Sequence, residues 1–333
     1  MANYTEIDNP TDFFRTKLYT GNGQNGQAIT YDESENMTPN FVWIKERNST
    51  SAHKLIDSVR GANKAMSIDQ TEADRTHQYL ADFNDANGFT IGTTDGGTNQ
   101  NNNTFVSWNW KEIAGVFDIV GFTGNGSGRT ISHSLGSVPK FMIVKDRNNV
   151  KNWGTYHVAV GAGKNAGYLN NTVVPEANAN FWNNTTPTAS VFSVGSDNTY
   201  NGNGIPYIIY LFGNKQGVSK MGNYVGNGNV NGTFVYLGFK PAFLIIKCTD
   251  AARSWQIHNS KSSPFNTGNT NARLFANLTD AEATNSSLDL LSNGFKVREG
   301  DDLNTNGSGN AYIYMAFAEQ PFVTSTGIPA TAR

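Results

Sequence analysis

Five histidines, one cysteine and two short loop motifs are the residues of this 333-residue chain whose chemistry points to catalysis or ligand binding. Gly21-Asn-Gly23-Gln-Asn-Gly26 satisfies G-x-G-x-x-G, the pattern in which glycines let a helix N-terminus approach a pyrophosphate. That chemistry needs a helix after the turn and an acidic residue about 20 positions on. The next residues, Gln27-Ala28-Ile29-Thr30-Tyr31, have a strand pattern, and the related Gly124-Asn-Gly126-Ser-Gly128 and Gly226-Asn-Gly228-Asn-Val230 lack the third glycine at the required spacing. The motif reads as a hairpin or bulge turn, and no cofactor-binding residue is assigned. Asp302-Leu-Asn304-Thr-Asn306-Gly307 matches the first half of a calcium loop, but the twelfth position, which should be a bidentate Glu, is Ile313. The segment reads as an Asn/Gly turn, and no metal ligand is assigned.

His53, His77, His133, His157 and His258 show no metal-ligand spacing. Trp153-Gly-Thr-Tyr-His157 and Trp255-Gln-Ile-His258 suggest one repeated strand position rather than a base beside a nucleophile. His133 precedes Ser134 with no acidic neighbour to orient it, so no catalytic residue is assigned and a non-enzymatic chain is expected. Asp57 and Arg60 read as a local surface ion pair, contributing about 0.2–1 kcal/mol. Cys248 follows the apolar run Phe243-Leu-Ile-Ile-Lys247 and reads as a packed strand residue. As the single cysteine it forms no intrachain disulfide, so burial alone must hold the core. Tyr168, Tyr200 and Trp182 occupy no recurring position and are the candidates for exposed rings that stack on a sugar.

The elements that position these residues recur. Gly-Asn-Gly occurs at 21–23, 124–126 and 226–228. Pro-x-Phe-x-x-x-Lys occurs as Pro39…Phe41…Lys45, Pro139…Phe141…Lys145 and Pro241…Phe243…Lys247. A phenylalanine heads a short strand at Phe89, Phe192 and Phe295, and aromatic strands close each unit at Phe105–Trp110, Tyr207–Phe212 and Tyr312–Phe317. Three landmarks with one period place units at 12–114, 115–217 and 218–320, with extensions at 1–11 and 321–333. The runs after proline are continuously apolar, as a strand buried on both faces requires. Each unit is therefore expected to be an antiparallel β-sandwich of about 100 residues. Thr71-Glu72-Ala73 and Thr279-Asp280-Ala281-Glu282 allow a short helix in the long loops of the first and third units. The units are not identical: the first carries Lys54 near the place of Trp153 and Trp255.

Composition agrees with an all-β chain. It has 44 asparagines, 34 glycines and 39 aromatics, and Asn and Gly favour turns while aromatics suit pleated surfaces. With 25 Lys+Arg against 27 Asp+Glu the net charge is −2, without the basic excess of a nucleic-acid binder. No stretch approaches the roughly 20 apolar residues of a membrane span, and the first ten residues lack a signal-peptide pattern. The expectation is assembly in the cytosol, without membrane insertion.

Leu-Tyr-Thr-Gly-Asn-Gly, Pro-Asn-Phe-Val-Trp-Ile-Lys, Val-Ser-Trp-Asn-Trp-Lys and the closing Ala-Tyr-Ile-Tyr-Met-Ala-Phe-Ala-Glu-Gln-Pro-Phe-Val-Thr-Ser-Thr-Gly-Ile-Pro together resemble a repeat domain of virion structural proteins from marine tailed bacteriophages. The resemblance spans about residues 10–330. It implies a structural part of the particle, assembled in the bacterial host cytoplasm, with no catalytic residues to carry over. The short lead before the first unit and the absence of a heptad seam point to a head-surface or capsid decoration component. A tail fibre or receptor-binding, lectin-like host-adhesion protein is the alternative. The expected partners are other virion proteins of the capsid or tail lattice and a host-surface glycan. Self-association, and a rod or a pseudo-threefold arrangement of the units, both stay open.

Overall fold

The proline-led runs pack on both faces, and the whole architecture follows from that. The computed structural model describes residues 5–83, 86–92, 96–268, 270–286 and 288–330. Phe41 and Trp43 face one core while Val42 and Ile44 face another; Phe141 and Ile143 oppose Met142 and Val144, and Phe243 and Ile245 oppose Leu244 and Ile246, in the same alternation.

Three antiparallel sheets share one strand order. Phe14–Thr20, Thr104–Trp110, Phe41–Glu46 and Lys54–Asp57 form the first, and Phe117–Thr123, Pro206–Phe212, Phe141–Asp146 and Gly154–His157 the second. Ser219–Val225, Ala311–Pro321, Phe239–Cys248 and Gln256–Asn259 form the third, which Asn271–Phe275 and Ala283–Ser286 extend. The registers match. Phe41 lies opposite Trp110 and Asp57, Phe141 opposite Phe212 and His157, and Phe243 opposite Phe317 and Asn259.

A smaller sheet covers the outer face of each. Gly88–Ile91 lies between Ala28–Thr30 and Leu80–Asp82, Arg129–Ser132 pairs with Val191–Val194, and Gly294–Val297 lies between Phe234–Tyr236 and Leu288–Leu291. The strand-heading Phe89, Phe192 and Phe295 are buried between the two layers. The chain is all-β and sandwich-like.

The inner faces of the three large sheets meet in one shared core. Trp110 and Phe212 have ring centroids 6.1 Å apart, Phe212 and Phe317 6.0 Å, and Phe317 and Trp110 5.6 Å. These are register-equivalent positions, and each ring touches the other two. Only a closed arrangement about a common axis allows that, since a rod would keep the first unit from reaching the third. The edge-to-face geometry contributes about 0.5–1.5 kcal/mol per pair beyond the area buried.

One expectation is corrected here. Residues 71–74 and 279–282 form no helix; the short helices among the described residues are Gly96–Asn99, Ala179–Trp182 and Asn198–Asn201, with a 3-10 turn at Pro10–Asp12. Glu72 pairs within its own loop, with Arg75 at 3.0 Å, while Glu282 is drawn into the neighbouring unit by Arg47 at 2.6 Å, as Asp74 is by Arg147 at 2.9 Å. The described part of the C-terminal extension is folded back, with Phe322 N–H donating to the Gly238 carbonyl and Ala330 N–H to the Phe322 carbonyl. It meets the N-terminal segment where Ser325 N–H donates to Asp8.

Candidate functional site

The lysine that ends each Pro-x-Phe-x-x-x-Lys run points inward and is fully buried. A buried amine needs hydrogen bonds to offset its lost hydration, and each finds carbonyls of the adjacent unit. Lys145 Nζ donates to the Thr71 carbonyl at 3.1 Å, Lys247 Nζ to Thr172 at 3.2 Å and Lys45 Nζ to Thr279 at 3.0 Å. The second unit thus holds the first, the third holds the second, and the first holds the third, which closes the ring. Burial pushes all three amines down to about 8.

A second set of contacts runs the same way. Trp153 Nε1 donates to the Ser67 carbonyl at 3.1 Å, Trp255 Nε1 to Tyr168 at 3.0 Å, and His53 Nε2 lies 3.0 Å from the Phe275 carbonyl. His53 is therefore the counterpart of the two tryptophans, a match hidden by its chemistry. The three are fixed alike, their backbone N–H groups donating to Asp69, Asn170 and Asn277 at 2.9–3.0 Å. Asp69-Gln-Thr71, Asn170-Asn-Thr172 and Asn277-Leu-Thr279 form a repeated [D/N]-x-T that sequence reasoning missed, although the pattern was there to be found.

At the end of each sheet away from Trp110, Phe212 and Phe317, the Gly-Asn-Gly turn is stapled by a buried asparagine. Asn22, Asn125 and Asn227 N–H donate to the side chains of Asn99, Asn201 and Asn306 at 2.9, 3.0 and 3.1 Å. Those three asparagines are 0% exposed. Backbones approach so closely that a Cβ at Gly124 would lie 2.2 Å from the Gly202 oxygen, while Gly126 holds φ +72°. The G-x-G-x-x-G candidate is accordingly a turn between the strands Phe14–Thr20 and Ala28–Thr30.

Beside each staple opens a polar cleft. The first is about 560 Å³, lined by Glu46, Lys54, Gln100 and Asn103 among others; the second about 310 Å³, with Asp146, Lys151 and Asn203; the third about 510 Å³, with Arg253, Asp301, Asp302 and Asn304. Asp302 and Asn304 of the calcium-like segment line this third cleft, but Asn306 is committed elsewhere, its amide donating to the Asn229 and Glu299 carbonyls at 2.8 and 2.7 Å. Among the described residues no group of three or more His, Cys, Asp or Glu is placed to hold a metal ion.

The remaining sequence candidates do not converge. His157 and His258 are buried one register step apart rather than at one repeated position, since His157 faces Phe141 and His258 faces Leu244. Burial lowers them to about 4 and about 3, and His53 well below the usual range. His133 lies 3.2 Å from the Thr188 carbonyl, and His77 packs edge-on against Tyr79. Cys248 is buried in the third unit's private core. Trp182 and Tyr200, expected to be exposed, are 1% and 0% exposed and meet edge to face at 4.9 Å; Tyr168 is half-buried. Asp57 and Arg60 are likewise no surface pair. Both are fully buried, 2.5 Å apart, with Arg60 also 3.0 Å from Asp74 and Tyr210 Oη of the second unit donating to Asp57 at 2.7 Å.

The chain belongs to the family described as a domain of unknown function (DUF7483), whose profile matches residues 9–321. No curated protein matches it. No helix among the described residues is long and apolar enough to cross a membrane.

Proposed function

We propose that this protein is a non-enzymatic structural component of a tailed-phage virion, a head-surface decoration protein in which three sandwich-like units stand as one pseudo-threefold body. The observation that carries the reading is the mutual contact of Trp110, Phe212 and Phe317. A body with three equivalent faces about an axis suits a lattice position where three equivalent neighbours meet. The cyclic lysine contacts serve the same role, because they hold the units in fixed relation and lower the entropic cost of docking three faces at once. The polar clefts and stapled turns at one end of the sheets give such a body a wet, hydrogen-bonding rim. The virion resemblance of the sequence supplies the context, and the other virion proteins are its proposed partners.

Quantifying the protein in purified particles against the major capsid protein, together with a reconstruction of the particle, tests this. The expected result is hundreds of copies seated on local threefold positions. A few tens of copies confined to the tail would reject decoration and favour receptor binding.

A further inference from the structure

The outer sheet of the third unit differs from its two counterparts. Ile29, Ile131 and Val235 stand opposite Phe89, Phe192 and Phe295, so Ala28 and Thr30 correspond to Thr130 and Ser132 and to Phe234 and Tyr236. Where two units carry small or polar side chains, the third presents two aromatic rings, 45% and 46% exposed. Positions that accept Ala, Ser and Thr do not need a ring to hold the sheet, and exposed aromatics of this kind mark contact surfaces.

Tyr236 walls a concavity of about 320 Å³ that also contains Lys215, Gln216, Lys220 and Leu237. Lys220 Nζ donates to the Tyr236 carbonyl at 2.7 Å and lies 5.4 Å from the ring centroid, so the amine and the ring are held as one unit. Lys215 is engaged by Glu6 at 2.5 Å, which leaves Lys220 as the cation of the concavity. The register-equivalent residues are Arg15 and Asp118, and both are buried. Among the described residues, the third unit alone therefore sets a cation beside an exposed ring in an open hollow; the Lys54–Tyr79 pair of the first cleft has a buried ring. We propose that this hollow binds an acidic saccharide, with the apolar face of a sugar ring on Tyr236, its carboxylate or sulfate on Lys220, and its hydroxyls within reach of Gln216. The site is independent of where the protein sits on the particle.

Calorimetric titration of the full chain with tetragalacturonate, its neutral methyl ester and a sulfated tetrasaccharide tests the assignment. The expected result is saturable binding of at least one of the two acidic probes, weakened by raising salt to about 0.5 M, and no comparable binding of the ester. Preference between the carboxylated and sulfated probes identifies the source of the charge. Tyr236→Ala and Lys220→Gln should each weaken binding about tenfold, while Tyr236→Phe and Phe234→Ala keep it and all four variants melt near the wild-type temperature. Absence of binding to either acid at about 10 mM, equal binding of the ester, or undiminished binding by Tyr236→Ala would overturn the proposal. None of these outcomes bears on copy number in the virion.

Discussion

Replacing Trp110 by Ala tests whether the three units are one cooperative body. Trp110 is fully buried, 4.9 Å from Phe14, 5.7 Å from Phe243, and in contact with Phe212 and Phe317, so it touches all three units. Truncating a buried Trp costs about 3–5 kcal/mol, because the lost burial and the remaining cavity add. Unfolding entropy near 60 °C is about 2.1 cal/mol/K per residue, roughly 700 cal/mol/K over the whole chain. If the chain unfolds in one step, the midpoint should fall by about 4–7 °C with a single calorimetric peak. If the first unit unfolded alone, its entropy would be about a third as large, its transition would fall by about 13–21 °C, and the rest would stay in place. Differential scanning calorimetry separates the two outcomes. A scan in which two-thirds of the enthalpy remains at the wild-type temperature would refute the shared core.

Asn201→Ala removes acceptance from Asn125 N–H and donation to the Ser127 and Gly195 carbonyls, and should cost about 2–4 kcal/mol in urea titrations; exposed Asn203→Ala should stay within about 0.5 kcal/mol. Asp57→Ala leaves Arg60 buried beside only Asp74 and should cost about 3–5 kcal/mol, whereas Tyr210→Phe, which removes one hydrogen bond to Asp57, should cost about 1–2 kcal/mol. The buried histidines predict acid sensitivity. Below about pH 6.5 the unfolded chain takes up protons that His157, lowered to about 4, refuses in the native state. Its contribution is thus complete above that pH and is lost as pH falls towards 4, at about 1.4 kcal/mol per pH unit. His157→Gln should reduce the slope of stability between pH 6 and 5 by that amount, and an unchanged slope would contradict the assignment.

The two-faced strands were legible because a run such as Phe141-Met-Ile-Val has only one comfortable place, between two apolar layers. The closing of the ring was not, because nothing in a run of apolar residues says whether its second layer belongs to the same unit or to the next. Trp182 and Tyr200 misled for a related reason. The second unit's outer sheet has two strands where the others have three, and the helix Ala179–Trp182 fills the space with Phe181 and Trp182, which pack against Tyr200. A residue that fills a hole unique to one unit cannot recur, so non-recurrence was no sign of exposure. The calcium-like segment and the Asn-rich runs show as turns in the sequence, but their buried asparagines are invisible there as staples because exposed and buried Asn look alike. The Asp57–Arg60 pair has sequence spacing typical of a surface contact; only the second unit's Tyr210 and the first unit's own long loop bury it.

The three seams of the ring are chemically unequal, and the inequality makes a final prediction. Arg147 pairs with Asp74 across one seam and Arg47 with Glu282 across another. At the third the corresponding residues are Thr249 and Pro175, and a proline has no N–H to match Glu282 and Asp74, which donate to the Arg47 and Arg147 carbonyls at 2.7 and 2.8 Å. That seam joins units already tethered through Gly217, where a short linker keeps the partners at high effective concentration. The seam between the first and third units has no linker and depends on its contacts. Its Arg47 forms two hydrogen bonds to Glu282, at 3.0 and 2.6 Å, and Glu282 is largely buried with no second cation among the ion pairs of the described residues. Asp74, by contrast, keeps Arg60 at 3.0 Å if Arg147 is lost. Arg47→Met should therefore cost about 2–4 kcal/mol, since it strands a buried carboxylate, and Arg147→Met only about 1 kcal/mol. Urea titrations of the two variants decide the matter: equal costs, or a larger one for Arg147→Met, would mean that the unlinked seam is not where the ring relies on its ion pair.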